Sequence, residues 1–343
     1  MREGGLLSAS LPTQLGGGDA SIIDLGSTAR ALGAACSSAA MVYAMHHTQA
    51  LSLRYHGTSP EIAELTREIA QRESLLASAT TEITTGGDVR TSSCAVEVDG
   101  DTVTLQKNAP VISYGEFADY ICATARRSPD APPSDQVLVV CPAADTTLEH
   151  TSTWNTLGFR GTCSPGFVLR STTSAANVVP VEYGLISAHT MLPASHTLWS
   201  NVWLGMADAA IAKAREQVRE ATRRSPDNPP AQAARLADLL VTHQAFESSV
   251  NSATAKYQSF LATGETEPTM AFALAMNNLK IASSLNVVEV VAGALTICGI
   301  NGYREDHRAS MGRLLRDAYA PQLMVSNDRI RANNARLVLA VRK

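Results

Sequence analysis

Hydrophobic and polar positions divide this chain into three stretches with different periods. In residues 1–78, small and apolar residues recur at helical spacing. The segment ASIIDLGSTARALGAACSSAAMVYAMHHTQALSLRYHG reads as helix with a Ser-rich weak spot at Cys36-Ser37-Ser38, and its small residues predict close helix packing. SPEIAELTREIAQRESLLASA predicts a clearer helix. Ser59 and Pro60 supply an N-cap and a first-turn proline, Glu61 follows, and Ile62, Leu65 and Ile69 share one face. Residues 79–182 alternate instead. TSSCAVEVDGDTVTLQKNAPVIS predicts a hairpin turning at Asp99-Gly100-Asp101, and DYICATARR, QVLVVCPA and GFVLRSTT are further strands. RRSPDAPPSD is a Pro-rich loop between them.

The helical period returns in residues 183–343. One long helix carries Trp199, Trp203, Met206 and Ala210 on a stripe and breaks at RRSPDNPP. AQAARLADLLVTHQAFESSVNSATAKYQSFLA is a second helix, and PTMAFALAMNNLKIASSLNVVEVVAGALTICG a third. The last begins at the polar step Ser326-Asn327-Asp328 and runs to the end. Long helices with short breaks mean an antiparallel bundle. The expected fold class is α+β: an N-terminal helical domain (1–78), a middle β-domain (79–182) and a C-terminal four-helix bundle (183–343).

Composition narrows the function classes. The chain has 343 residues, 45% hydrophobic and 17% charged, which suits a folded chain with more than one core. A net charge of -4 argues against nucleic acid or an anionic membrane surface as partner. The six cysteines form no CxxC and none has a His at metal-ligand spacing, so reduced thiols, no metal site and a cytoplasmic location are expected. No signal peptide is visible, and no uninterrupted apolar run reaches the roughly 18 residues of a membrane span.

Five local motifs, in order, resemble the acyl-CoA dehydrogenase family of flavoproteins. They are GGLLSASLPTQLGGGDAS, ATTEITTGGDV, VISYGEFADYICATAR, TWNTLGFRGTCSPGFVLRSTTSAANVVP and CGINGYREDHRASMGRLLRDA. The resemblance spans essentially the whole chain but leaves the family's first helical segment without a counterpart, so the N-terminal domain looks shortened. It implies FAD as cofactor, a homodimer or homotetramer, and dehydrogenation of an acyl thioester of CoA or acyl carrier protein. In that reaction a base takes the α-proton and the flavin takes a hydride.

The same resemblance assigns residues. Thr81 matches a hydroxyl at the flavin's pyrimidine side, where donors stabilise charge that develops on reduction; alternatively it starts a strand. Ser113 matches a hydroxyl at flavin N5, while the family's aromatic two positions earlier is Val111. Gly87 and Asp88, with Gly86, fit the loop near the thioester arm, or only a turn. Arg223 matches the Arg that reaches a neighbouring subunit's pyrophosphate; otherwise it is a solvated Arg at a helix end. Thr296 stands where the family keeps an adenosine-contacting Gln. Asn327 stands where a Thr meets the flavin's phosphates or ribose. Asp328 reads as a first-turn acid, and Arg316-Asp317 as a bundle ion pair.

The family's base is missing from both of its usual positions. One holds Val325 and the other Ser195, next to His196 in place of an Arg. With an ordinary pKa of about 6.5, His196 is the candidate base or donor, or an ordinary helix-start His. His46 and His47 lie on the helical domain that covers the acyl pocket in the family, and one of them is expected to face substrate. Three functions compete. The first is a dehydrogenase with a non-standard base. The second is a reduced-flavin monooxygenase of the same fold, which needs no α-proton base, although the C-terminal His segment typical of that group is not visible. The third is a non-catalytic subunit in a heteromer with a paralogue.

Overall fold

The computed structural model describes residues 1–84, 89–226 and 230–340. Three helices lead: α1 (Ile22–Ala35), α2 (Ser37–His56) and α3 (Pro60–Gln71). The break between α1 and α2 falls at Cys36, the weak spot in the pattern. α1 opens on a capping box, with Ser21 and Asp24 satisfying each other's backbone N–H groups. At the head of α3 the Ser59 hydroxyl accepts from Ile62 N.

α3 ends earlier than its apolar period suggests. Glu73 turns left-handed, at φ 48, and its carboxylate accepts from Leu7 N (2.7 Å) and Ser8 N. The helical reading of LLASA is therefore corrected: Leu76–Ala79 is strand β1, parallel to a strand more than forty residues away. Only that distant partner makes it a strand.

The middle region holds β2 (Glu97–Asp99), β3 (Thr102–Ala109), β4 (Tyr120–Arg126), β5 (Gln136–Pro142), β6 (Thr146–His150) and β7 (Phe167–Ser174). β6 adds to the strands that alternation had indicated. One sheet runs β1-β4-β5 and the other β2-β3-β7-β6. The β2–β3 hairpin turns at Gly100, φ 57, where glycine avoids the Cβ penalty. Inner faces of the sheets share a core that includes Ala77, Val103, Leu105, Ile121, Val139, Phe167 and Leu169.

A short helix α4 (Tyr183–Ile186) runs through a π-turn at Ser187–Met191 into α5 (Leu192–Arg224). α6 (Gln232–Thr263), α7 (Met270–Cys298), the short α8 (Ile300–Tyr303) and α9 (Gly312–Ala318), and α10 (Asn327–Ala340) follow. Trp203, Met206 and Ala210 are fully buried, as the stripe required, and Trp199 packs half-buried beside them. Small residues let α1 and α5 touch: a Cβ on Gly205 would lie 2.0 Å from Arg30 O. Among the described residues α7 is one helix long and apolar enough to cross a membrane, which a search for uninterrupted runs does not register because Asn277, Lys280 and Ser283 interrupt it. In the fold α7 is a core helix of the bundle, packed on α5 and α6.

The three regions meet at Asp317 in α9. Its carboxylate accepts from Phe159 N of the β-region (2.6 Å) and from the Ser37 hydroxyl at the head of α2. The expected Arg316-Asp317 ion pair is thus corrected: Arg316 pairs with Glu305 instead (2.6 Å). Gly158 lets the loop approach closely, since a Cβ there would lie 2.4 Å from Arg316 O. Replacing Asp317 by Ala removes two hydrogen bonds to a charged acceptor and should lower stability by about 3 kcal/mol. The urea midpoint should fall with its slope unchanged; an unmoved midpoint means this tie carries no stability.

Candidate functional site

A cavity of about 590 Å³ lies where these three regions meet. α2 contributes Met41, Met45, Thr48 and Gln49, successive turns of one face. The β-region contributes Ser78, Thr80, Thr81, Val111, Ser113, Thr162 and Ser164, with the loop from Trp154 to Phe159. The bundle contributes Ser187, Met191, Leu192, Ser195, His196 and Trp199, and the segment between α9 and α10 adds Arg316, Tyr319, Leu323, Met324 and Val325. The π-turn matters here, because it widens the helix where Ser187 and Met191 face the cavity. Arg316 is the one charged side chain lining the cavity among the described residues.

Hydroxyls cluster on the β-region wall. Ser164 Oγ donates to Ser113 Oγ at 2.9 Å, and Thr162 Oγ1 meets Ser164 Oγ at 2.8 Å. Trp154 is fixed by its indole N–H, which donates to Phe159 O (3.0 Å). Behind Thr80 and Thr81 sits an anchor that sequence reasoning missed. The Glu82 carboxylate accepts from Lys107 Nζ (2.6 Å), Ser93 N (2.9 Å) and the Ser92 and Ser93 hydroxyls. Lys107 occupies an inward register position of β3, between buried Leu105 and Ala109, so alternation alone could have marked it as an anomalous core lysine. Burial alone pushes the Glu82 carboxyl up; the ammonium and hydroxyls outweigh it and hold it at about 2.

On the bundle side, His196 Nδ1 lies 3.2 Å from Met276 O. A carbonyl only accepts, so Nδ1 carries the proton. Burial first, then the Lys280 charge, lowers His196 to about 3. The ring is therefore neutral at ordinary pH, with an unprotonated Nε2. So weak a base is poorly matched to α-proton removal, which corrects the expectation of His196 as base and leaves it a hydrogen-bonding role. Ser195 also lines the cavity, its hydroxyl donating to Leu192 O (2.9 Å).

His46 and His47 are not in the cavity. His46 bonds Leu7 O (2.6 Å) and Leu76 N (3.0 Å); His47 bonds Leu6 O (2.9 Å) and Ser10 Oγ (2.8 Å). Both rings are buried, with both nitrogens engaged in holding the N-terminal segment on α2, and burial lowers their basicity. They are brackets, and the expectation of a substrate or catalytic contact is corrected; Met45, Thr48 and Gln49 of the same helix face the cavity instead. Arg223 is exposed and paired with Glu216 (3.0 Å), and Thr296 is exposed with its hydroxyl on Ala292 O; neither reaches this cavity. Gly87 and Asp88 lie outside the described residues.

Asn327 is buried behind the cavity wall. Its Oδ1 accepts from Lys280 Nζ (2.8 Å) and its Nδ2 donates to Ser284 Oγ (2.9 Å). Lys280 also donates to Val325 O (2.7 Å). Burial, with Arg331 nearby, lowers Lys280 to about 7. Val325 sits at φ 47, a costly conformation for a β-branched residue, and the lysine holds it there. A lone Lys inside apolar NNLKIASS was the signal available for this device.

Residues 197–328 match the family described as acyl-CoA dehydrogenase, C-terminal domain. The C-terminal bundle thus matches an acyl-CoA dehydrogenase domain, and the whole chain has the acyl-CoA dehydrogenase-like fold. It is 23% identical over 330 residues to cyclohex-1-ene-1-carbonyl-CoA dehydrogenase of Geobacter metallireducens, covering 95% of this chain and 84% of that protein. FMN-bound TdsC of a Paenibacillus species superposes with a TM-score of 0.84 at 16% identity, over 99% of this chain and 89% of that one. Butyryl-CoA dehydrogenase of Megasphaera elsdenii gives 0.83 at 21% identity, over 98% and 87%. At these identities the two structures show the shared acyl-CoA dehydrogenase fold alone.

The Glu82–Lys107 anchor has a pH signature. With Glu82 at about 2 in the fold and 4.5 ordinarily, its stabilisation is complete above about pH 4.5 and lost as pH falls toward 2. The loss amounts to roughly 3 kcal/mol. Unfolding free energy measured across that window should fall steeply in the wild type and less in Glu82→Gln; parallel curves would show that the pair is not formed.

Proposed function

We propose that this chain of acyl-CoA dehydrogenase-like fold is a flavin-dependent monooxygenase that accepts a neutral, mainly apolar substrate. One observation carries the reading: no carboxylate lines the cavity among the described residues. By the sequence resemblance Val325 and Ser195 stand at the family's two base positions; both line the cavity, and His196, at about 3, is too weak to replace a carboxylate there. Oxygen insertion into a neutral molecule asks for no α-proton base. TdsC, described as a dibenzothiophene monooxygenase, shares the fold.

The residues present fit a flavin ring. Hydroxyls of Thr81, Ser113 and Ser164 offer donors and acceptors along one wall, and Trp154, Phe159 and Met45 give flat or soft apolar surface around it. When bound, the flavin supplies the redox chemistry. The chain's own residues hold the substrate, exclude water with an apolar lining and keep His196 Nε2 available as an acceptor. Arg223 and Thr296 stand outside the cavity of one chain, so we assign them to the phosphate and adenosine end of a flavin held by a second copy. Exposed Ile300 and Tyr303, just beyond α7, support a homo-oligomer.

A second reading keeps the dehydrogenation of an acyl thioester. The Geobacter relative favours it. Anaerobic addition of butyryl-CoA to flavin-loaded protein separates the two. Under the monooxygenase reading the flavin's visible absorbance stays unbleached, whereas reduced FMN or FAD supplied with heavy-isotope oxygen labels indole or dibenzothiophene. Bleaching by the thioester without label incorporation would replace the first reading by the second. Protein that takes up neither flavin overturns both and favours a non-catalytic subunit.

A further inference from the structure

α2 ends on His56, and His189 is the middle residue of the π-turn that leads into α5. The two imidazole rings meet nearly at right angles, 5.0 Å between centroids, and each residue is only 5% exposed. His189 also packs against Tyr55 of α2 (5.4 Å) and Phe260 of α6 (5.2 Å), so three elements close around the pair. His56 Nε2 and His189 Nδ1 have no hydrogen-bond partner, and no carboxylate bonds either ring among the described residues. The other titratable and charged groups here are engaged elsewhere. Arg54 pairs with Asp19 and lies over the Tyr55 ring, the Tyr257 hydroxyl of α6 donates to His189 O (3.2 Å), and Glu265, just beyond α6, meets His189 through its backbone. Burial first, then the facing His189 charge, lowers His56 to about 4, and burial lowers His189 as well. Both rings are therefore neutral in the closed fold at ordinary pH. A proton on either would put a charge into an apolar contact with no counter-ion.

We propose that His56 and His189 form an acid-sensitive latch between α2 and the π-turn, closed while both rings are neutral and released when one takes a proton. The release has a route to the cavity. Ser187 and Met191 flank His189 and line the cavity, as Thr48 and Gln49 do on α2, and Ser52 Oγ and Thr190 Oγ1 join the two elements at 3.1 Å. Parting the rings lets water reach the charged imidazole, but it also pulls on that tie and shifts the wall at Met191. Opened rings regain their ordinary 6.5 and bind protons more tightly than closed ones. The latch therefore holds fully above about pH 6.5 and weakens as pH falls toward 4. Most of this range lies above that of the Glu82–Lys107 anchor. The inference goes beyond the monooxygenase reading and does not depend on it.

Buried His46, His47 and His196 also resist protonation, so global stability would not single out this pair and the readout must be local. Amide hydrogen exchange of the full-length protein at pH 7 and pH 5, corrected for its intrinsic pH dependence, supplies one. Protection at residues 52–56 and 187–191 should drop roughly twentyfold at pH 5, the factor for a ring that moves from about 4 to 6.5 on opening. Protection in the β3–β7 ladder should not. The double variant His56→Phe/His189→Phe keeps two rings without a proton site and should show no drop. Should it fail to fold, each single variant should show a smaller drop than the wild type. Binding of naphthalene, an uncharged apolar probe of the cavity, should weaken at pH 5 in the wild type and not in the double variant. Equal protection at both pH values, a drop that the variants keep in full, a drop shared by the β3–β7 ladder, or naphthalene binding that ignores pH each overturns the proposal. These readouts need neither flavin nor turnover. Failure to oxygenate therefore sinks the functional reading alone, and an absent pH response sinks this one alone.

Discussion

The carboxylate of Asp317 is the point on which the cavity depends. It takes one hydrogen bond from the head of α2 and one from the loop at Phe159, while its own helix belongs to the C-terminal region. Surfaces from three regions therefore meet at one small group, beside the apolar core that α1 and α2 share with the bundle. A cavity between regions needs such a tie, because each region satisfies its own backbone without the others. Gly158 completes it by allowing backbone to lie against backbone, which no side chain could permit there.

The walls so assembled carry polar groups in costly states. Glu82 and Lys107 are a buried pair next in sequence to Thr80 and Thr81 of the cavity wall, and removing either partner would leave the other charge buried and uncompensated. Lys280 is buried and spends its hydrogen bonds on Val325 O and Asn327 Oδ1. It thereby keeps an apolar side chain in a left-handed conformation at the cavity wall. Gln49 and Trp199 remain unpaired in the same region. Tyr114, Phe159 and Val325, all in left-handed backbone, line this cavity, and backbone strain of that kind is found at functional sites.

Most of the secondary structure was legible in the chain. Period-3.6 stripes placed α5 through α7, alternation placed β3, β4, β5 and β7, and Ser59-Pro60 marked the start of α3. Strand β1 was not legible, because Ala and Ser are neutral residues and only the ladder to β4 makes LASA extended. The site was legible in part. Thr81, Ser113, Ser195 and His196 line the cavity, since motif position fixes which wall a residue belongs to. His46 and His47 did not follow, because on a helix buried on nearly every side one residue's rotation decides between cavity and core. Gln49, three residues from His46, carried no local signal at all.

The sequence by itself determined the order of elements and the resemblance to the acyl-CoA dehydrogenase family, because these are properties of residue type and spacing. Tertiary structure decided what those residues can do. Burial removed His196 from the list of effective bases, hydrogen bonds turned His46 and His47 into brackets, and the meeting of α2 with α5 left Gln49 and Trp199 unpaired beside one cavity. Protonation and hydrogen-bond satisfaction depend on which distant groups are near, and that information exists only once the chain has folded.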